Sequence, residues 1–379
     1  MTHESASPDR TAAKRDARNA GIDALRGCVA LLVVLHHAAI IYGAQGGWYY
    51  YETPHSGRLS SLLLTFFCSV NQAWFMGLFF LLAGYFTPPA VARRGRAAFA
   101  LERLTRLGLP MAGYALLLHP LTVALAQSSK GQPFAETFAR LWGHGQFRLG
   151  PLWFAFALLL LSALYLAVAG KMRGLRVFPS NRALLAAAIL TGAGAFLLRL
   201  RWPVGVEVAS LQLGYFASYI VLFALGCMAA DARLLEAIPA AQVRLWRRIA
   251  WLAAPVLPIA ALAQDRAGVA LGRFEGGGNA AALIYALWEP FIAWGIILGL
   301  IFAFQKRFAT LQGAWAQLAR RSFAIYVIHP PILTGVAVAW RSVSAPPLLK
   351  FGATGAIACL LCYIAAGLVL RIPGVNRVL

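Results

Sequence analysis

Ten apolar stretches divide this chain, each long enough to cross a ~30 Å hydrocarbon core as a helix. They fall at 24–43, 61–86, 107–126, 151–170, 182–199, 211–230, 249–265, 280–304, 322–340 and 349–370. In lipid an unpaired backbone amide has no water to turn to, so such stretches fold as helices or as closed barrels. Their length selects helices. The polar connectors at 44–60, 127–149 and 231–248 are too short to fold alone, and no internal repeat or low-complexity segment interrupts the pattern. The expected architecture is an all-α polytopic membrane protein of about ten spanning helices. A basic N-terminal segment (1–23) precedes a single transmembrane domain (24–370) and a short tail (371–379). Two stretches are the weakest candidates, because the third contains His119-Pro120 and the seventh contains Pro255 and Pro258.

Of the 379 residues, 60% are hydrophobic and 12% charged, far from a soluble domain. The net charge of +21 is a topology signal. With the N-terminus inside, the segments 1–23, 87–106, 171–181, 231–248, 305–321 and 371–379 carry more than twice the Lys and Arg of the outside segments. That bias places both termini in the cytoplasm. It explains the charge by anionic lipid, without nucleic acid. The run after residue 23 is longer than a signal-peptide core, so the first helix reads as uncleaved. The five cysteines are scattered without ligand spacing, and neither a disulfide framework nor a metal site is expected.

In residues 22–41, IDALRGCVALLVVLHHAAII, which open the first stretch, Arg26 and His37 stand eleven residues apart. Eleven steps of ~100° close about three turns, so both side chains share a helix face, ~16 Å apart along the axis. A cation at the membrane edge thereby lines up with a titratable imidazole near the midplane, where ionisable groups mark function. His36 points ~100° away and reads as packing or support. Asp23 lies one turn before Arg26 and can pair with it at i,i+3.

Further on, Ser322, Tyr326 and His329 share a face of the ninth stretch, and Pro330-Pro331 are expected to break that helix. Glu289 is an acid well inside an apolar stretch, placed to orient an imidazole, to pair with a buried cation or to sit at a helix mouth. Arg93, Arg94, Arg96, Arg103 and Arg106 crowd an inside connector. Trp48, Tyr49, Tyr50 and Tyr51 follow the first helix, as an interfacial aromatic belt or as a sugar-stacking surface.

Four stretches carry a family resemblance: DALRG (23–27) with the His36-His37 pair ten residues beyond Arg26, FFLLAGYF (79–86), RLTRLGLP (103–110) and RSFAIYVIHPP (321–331). GPLWF (150–154) and GYFASYIVLFALG (214–226) echo it more weakly. With these motifs the chain resembles the membrane-bound acyltransferase 3 family, and is most similar to its glucan-succinyltransferase-like branch. Ala83 stands where that family commonly has Ser.

The resemblance implies an inner-membrane O-acyltransferase of a bacterial cell. It would move an acetyl or succinyl group from acyl-CoA, a co-substrate rather than a resident cofactor, to a glycan or other carbohydrate-containing acceptor. His37, with Arg26, His36 and Glu289, would form the catalytic group. Arg26, Arg103 and Arg106 would hold CoA phosphates. Asp23, Ser322, Tyr326, His329 and Trp153 would line the site. Neutral imidazole suits a base that deprotonates a hydroxyl near pH 7, and an acyl-imidazole route is equally open. The rival class is a transporter or flippase of glycan or lipid. It calls for inverted repeats and discontinuous helices in matching halves, and the sequence has no such symmetry.

Overall fold

The computed structural model of the protein describes residues 8–52, 57–268 and 271–379. Residues 1–7 of the basic N-terminal segment, 53–56 of the connector after the first helix and 269–270 of the loop at 266–279 lie outside the described residues. Among the described residues nine helices are long and apolar enough to span a bilayer, and Leu213–Ala229 is a shorter apolar helix. Each of the ten expected stretches coincides with one of them. No β-sheet is present among the described residues, only an isolated bridge between Val208 and Leu211.

The boundaries differ from the expectation where polar residues continue a helix beyond the hydrocarbon. The first helix starts at Pro8. The supposed loop from Arg93 to Arg106 is almost wholly helical: one helix runs Arg58–Arg94, Gly95 turns with φ +81°, and the next begins at Arg96. The connector at 231–248 likewise gives way to a helix at Ala240, so Arg244, Arg247 and Arg248 lie on a helix rather than a loop. Hydropathy reads the membrane's thickness; the helix itself continues for as long as the backbone stays paired.

The three proline sites behave differently. Through Pro110 and His119-Pro120 the span Arg96–Ser128 continues with π turns at Leu104–Gly108 and Tyr114–Leu118. Such turns re-pair carbonyls that a proline leaves without a donor. At Pro255 the helix breaks, into Ala240–Ala253 and Val256–Arg266. Pro330-Pro331 do not break their helix, which runs from Gly313 to Ala339. Proline at 330 has no N–H for the Tyr326 carbonyl four residues back. The His329 ring supplies the missing donor instead, with Nδ1 2.6 Å from Tyr326 O.

The first helix packs along the Gly313–Ala339 helix, and this pair forms the most enclosed part of the bundle. The Arg58–Arg94 helix packs along Phe216–Ala229. There, a Cβ on Gly84 would overlap the Phe223 carbonyl, and one on Gly226 would overlap the Leu81 carbonyl. Two reciprocal glycines let the backbones meet, the small-residue contact that replaces the hydrophobic effect inside a bilayer. Both glycines belong to the motifs FFLLAGYF and GYFASYIVLFALG.

Candidate active site

His37 and His329, 292 positions apart in sequence, meet at the core of the bundle. His329 Nε2 lies 3.2 Å from His37 Nδ1, and His37 Nδ1 also lies 3.0 Å from Val33 O. These contacts assign the tautomers. His329 Nδ1 faces a carbonyl, so it carries the proton and donates, which leaves Nε2 as an acceptor. His37 Nδ1 faces that acceptor and a second carbonyl, so it too carries the proton. The His37 Nε2 is left with its lone pair, on a ring that borders a cavity. Among the described residues no carboxylate is bonded to either imidazole; a second imidazole holds the first in place.

Aromatic rings enclose the pair. Trp48 stacks on His37 at 4.0 Å between centroids and 26° between planes, and on His329 at 5.7 Å and 18°. Tyr326 donates from its hydroxyl to the Pro151 carbonyl. Gly150, at φ +47°, gives the backbone the left-handed turn that presents this carbonyl and then Trp153. Tyr49, beside Trp48, shares a 2.8 Å hydrogen bond with the Tyr114 hydroxyl, and burial pushes its own hydroxyl up to about 12. It therefore remains a protonated partner at any physiological pH, and it anchors the loop that carries Trp48. His36 turns away, its ring 4.9 Å from Phe75 and edge-on to His37 at 83°, and its buried Nδ1 has no hydrogen-bond partner.

A cavity of about 1000 Å³ reaches this group. Both His36 and His37 border it, as do Trp153 and Tyr326. Its other polar walls include Gln45, Ser61, Thr65, Ser69, Gln72 and Gln212, together with the carboxylates of Asp265 and Glu275 and the tyrosines Tyr215 and Tyr285. Gln72 is itself held by the Tyr219 hydroxyl at 3.0 Å. The loops at its mouth, around Gly46, Gly205 and Glu275, all sit at the end of the bundle where Trp48 lies.

The remaining sequence-derived candidates fall elsewhere. Arg26 does pair with Asp23, at 2.8 Å and at i,i+3, but toward the opposite end of the first helix and away from the cavity. Arg106 reaches Glu102 at 3.5 Å, Arg94 pairs with the same carboxylate, and Arg103 lies over the Phe99 ring at 5.1 Å. No hydrogen bond or ion pair joins Arg26 to Arg103 or Arg106 among the described residues. Ser322 bonds back to Ala319 O at 2.9 Å, closing its own helix turn rather than facing an imidazole. Glu289 orients no imidazole either. It accepts from Arg199 at 2.6 Å, and both side chains are buried. Arg199 also donates to Gly214 O at 3.1 Å and lies between the Tyr215 and Tyr285 rings at 5.1 and 4.9 Å. Of the three readings open to Glu289, the buried-cation pair is the one found.

Sequence reasoning missed Trp48 as a partner of His37, and Arg199 as the partner of Glu289. Trp48 was visible as a belt residue or a sugar-stacking one, since nothing local shows that its loop folds back over the first helix. Arg199 closes the 182–199 stretch, where an arginine cannot be told from a flanking charge. A lone acid and a lone arginine near the same membrane depth were the available signal.

A family model described as an acyltransferase domain (acyltransferase 3) matches residues 19–367. No curated protein matches the chain, and no solved structure does.

Proposed function

Because the chain belongs to the acyltransferase 3 family, and is a multi-pass membrane protein with acyltransferase activity indicated by that membership, we propose that it transfers an acetyl- or succinyl-class group from acyl-CoA to a carbohydrate hydroxyl, with His37 as the general base. The observation that carries this reading is the His37–His329 pair: it leaves one unprotonated imidazole nitrogen on a ring at the wall of a large, polar-lined cavity.

The chemistry follows from the hydrogen bonds. An acceptor hydroxyl in the cavity gives its proton to His37 Nε2 as its oxygen attacks the thioester carbonyl. The His37 Nδ1 proton already points at His329 Nε2 at 3.2 Å. The new positive charge therefore spreads over two imidazoles, as the Nδ1 proton moves toward His329. Trp48, stacked on both rings, favours that cation through its π face. Collapse of the tetrahedral adduct expels the CoA thiolate, which recovers the proton from His37, and both rings return to neutral. His329 is a positioning residue here: it fixes the tautomer and takes part of the charge without touching substrate.

Sidedness fits the same scheme. The charge bias puts Arg26 on the cytoplasmic side, where acyl-CoA is made, and the cavity opens at the Trp48 end. In this reading Arg26, held by Asp23, receives CoA phosphate through the fork of its guanidinium. Arg103 and Arg106 add charge on the same side. The membrane is the bacterial inner membrane, and the acceptor comes from the periplasmic side.

Mass spectrometry of envelope glycans from cells with and without the protein tests the function. A mass increment of one acetyl or succinyl group, present only with the protein, is the expected result. Identical glycan profiles remove the proposal.

A further inference from the structure

A buried lysine stands outside the mechanism above. Lys350 lies in the N-terminal turn of the Pro347–Val369 helix with 1% of its surface exposed. Its Nζ donates to the Glu52 carboxylate, and to the Trp340 carbonyl at 3.5 Å. The ammonium lies 5.2 Å from the Trp340 ring centroid and 6.0 Å from that of Tyr42. Thr354 fixes both rings: its hydroxyl accepts from Trp340 Nε1 at 3.0 Å and shares a 2.7 Å hydrogen bond with the Tyr42 hydroxyl. Among the described residues no carboxylate other than Glu52 is bonded to Lys350. Neither the helix nor the burial favours a cation here. Positive charge in a first turn opposes the helix dipole, and well-packed apolar residues often stabilise a buried site as well as an ion pair does. What such a pair can supply is a single placement of the two elements it joins. One of those elements is the strap 42–52, which carries Trp48.

From Tyr42 to Glu52 the chain forms no helix, so tethers set its path. Near its start, Ser61 donates to the Gly43 carbonyl at 2.7 Å, and the Gln45 amide donates to Thr65 Oγ1 at 3.1 Å. Both bonds fasten the strap to the Arg58–Arg94 helix. Within it, the Trp48 amide donates to the Tyr51 hydroxyl at 2.6 Å, and that hydroxyl donates to the Gly46 carbonyl at 3.1 Å. The Tyr49–Tyr114 hydrogen bond adds one neutral contact to a third helix. At the far end the Glu52 amide donates to the Ile41 carbonyl at 3.0 Å, and the Glu52 carboxylate takes the ammonium of Lys350. Trp48 is thus strung between the tether at Gln45 and the one at Glu52. The four steps from Trp48 to Glu52 can span ~13 Å when extended. With the far end loose, the indole has room to leave the imidazoles.

We propose that Lys350 and Glu52 are positioning residues of the active site: their ion pair fastens the far end of the strap and so keeps Trp48 stacked on the His37 and His329 rings. Neither residue touches substrate. The kinetic consequence rests on the acyltransferase reading above; the tether itself is visible without turnover. Once the pair is removed, Trp48 loses its fixed stack and the imidazolium loses its π partner. The rate then falls by no more than the loss of Trp48 itself.

The test uses the full chain in nanodiscs and two variants. Lys350→Met keeps the length of the stem and leaves Glu52, whose side chain is 21% exposed, within reach of water. Lys350→Met with Glu52→Gln is neutral on both sides and strands no charge. Hydroxyl-radical oxidation read by mass spectrometry should modify Trp48 roughly threefold faster or more in both variants. Trp74, 5% exposed on the Arg58–Arg94 helix, should be oxidised at the wild-type rate. Per mole of folded protein, kcat should fall about three- to tenfold, bounded by the loss of one cation–π contact. The KM for acyl-CoA should stay within twofold of wild type. Added to Trp48→Leu, either variant should lower kcat by less than a further twofold, because the group it positions is already gone. An unchanged Trp48 oxidation rate, a wild-type kcat, losses that multiply in the Trp48→Leu background, or a loss carried by KM alone overturns the proposal. Failure of the acyltransferase reading looks different: the wild-type protein releases no CoA thiol, or His37→Ala transfers as well as wild type, while the Trp48 oxidation rates still decide the tether.

Discussion

His329 Nε2 accepts from His37 Nδ1 at 3.2 Å while its own Nδ1 is tied to the Tyr326 carbonyl at 2.6 Å. The proline that follows is what makes this possible. Without an N–H at position 330, the Tyr326 carbonyl is open to a side chain, and the His329 ring is turned by that bond into a fixed orientation. The run His-Pro-Pro is thus a device for setting a tautomer, where a carboxylate does the same work in a Ser-His-Asp arrangement.

The first prediction follows directly. His329→Ala removes the acceptor that holds the His37 proton at Nδ1, and kcat should fall about 10²-fold, at the low end of a general-base contribution. The KM for acyl-CoA should change less than threefold, since His329 touches no donor group in this account. His329→Asn retains an amide that can accept from His37 and should recover part of the rate. Steady-state kinetics on purified protein in detergent or nanodiscs separate the outcomes. A rise in KM with kcat unchanged would reassign His329 to substrate binding.

Trp48→Leu should lower kcat about tenfold, consistent with loss of a desolvated cation–π contact of ~1–2 kcal/mol. Trp48→Phe keeps a π face and should retain most of the activity. Equal loss in both variants would show that bulk over the imidazole matters and the π face does not.

The Arg199–Glu289 pair predicts a loss of stability that is separate from chemistry. Breaking a buried ion pair from one side strands the other charge and costs ~3–5 kcal/mol. Glu289→Leu alone should sharply reduce the yield of folded protein and its thermal unfolding temperature in detergent. The double variant Arg199→Met with Glu289→Leu should recover much of both. If the single variant is as stable as wild type and is inactive, Glu289 belongs to the catalytic group after all.

Much of this was legible in sequence, for physical reasons. The spans were legible because hydrocarbon thickness imposes a minimum length on every apolar stretch. The shared face of Ser322, Tyr326 and His329, and the Asp23–Arg26 pair, were legible because helical period fixes local geometry; the structure shows that pair at 2.8 Å. Contacts across sequence were not legible. The meeting of His37 with His329, the fold of Trp48 over both, and the docking of Glu289 on Arg199 depend on which helices pack together, and no periodicity within one helix encodes that. The proline prediction failed for the same reason: the donor that rescued the helix at Pro330 was a side chain whose role only the packed bundle reveals.

Arg26 offers a test of the donor side. Arg26→Lys preserves charge and loses the fork, so the KM for acyl-CoA should rise about tenfold with kcat nearly unchanged. Arg26→Ala should raise it further. Binding of acyl-CoA to purified variants gives the direct readout. An affinity equal to wild type for Arg26→Ala would leave Arg26 as an orientation signal alone.

The most direct test of the central claim replaces the base itself. His37→Ala, compared with His36→Ala at equal membrane abundance and equal thermal unfolding temperature, should lower acyl transfer by ~10²–10⁴-fold, the range of general-base contributions. His36→Ala should retain more activity, because His36 makes no hydrogen bond to His329. The measurement is release of free CoA thiol together with label in the acceptor. Full transfer by the His37 variant, or a greater loss in the His36 variant, would contradict the account.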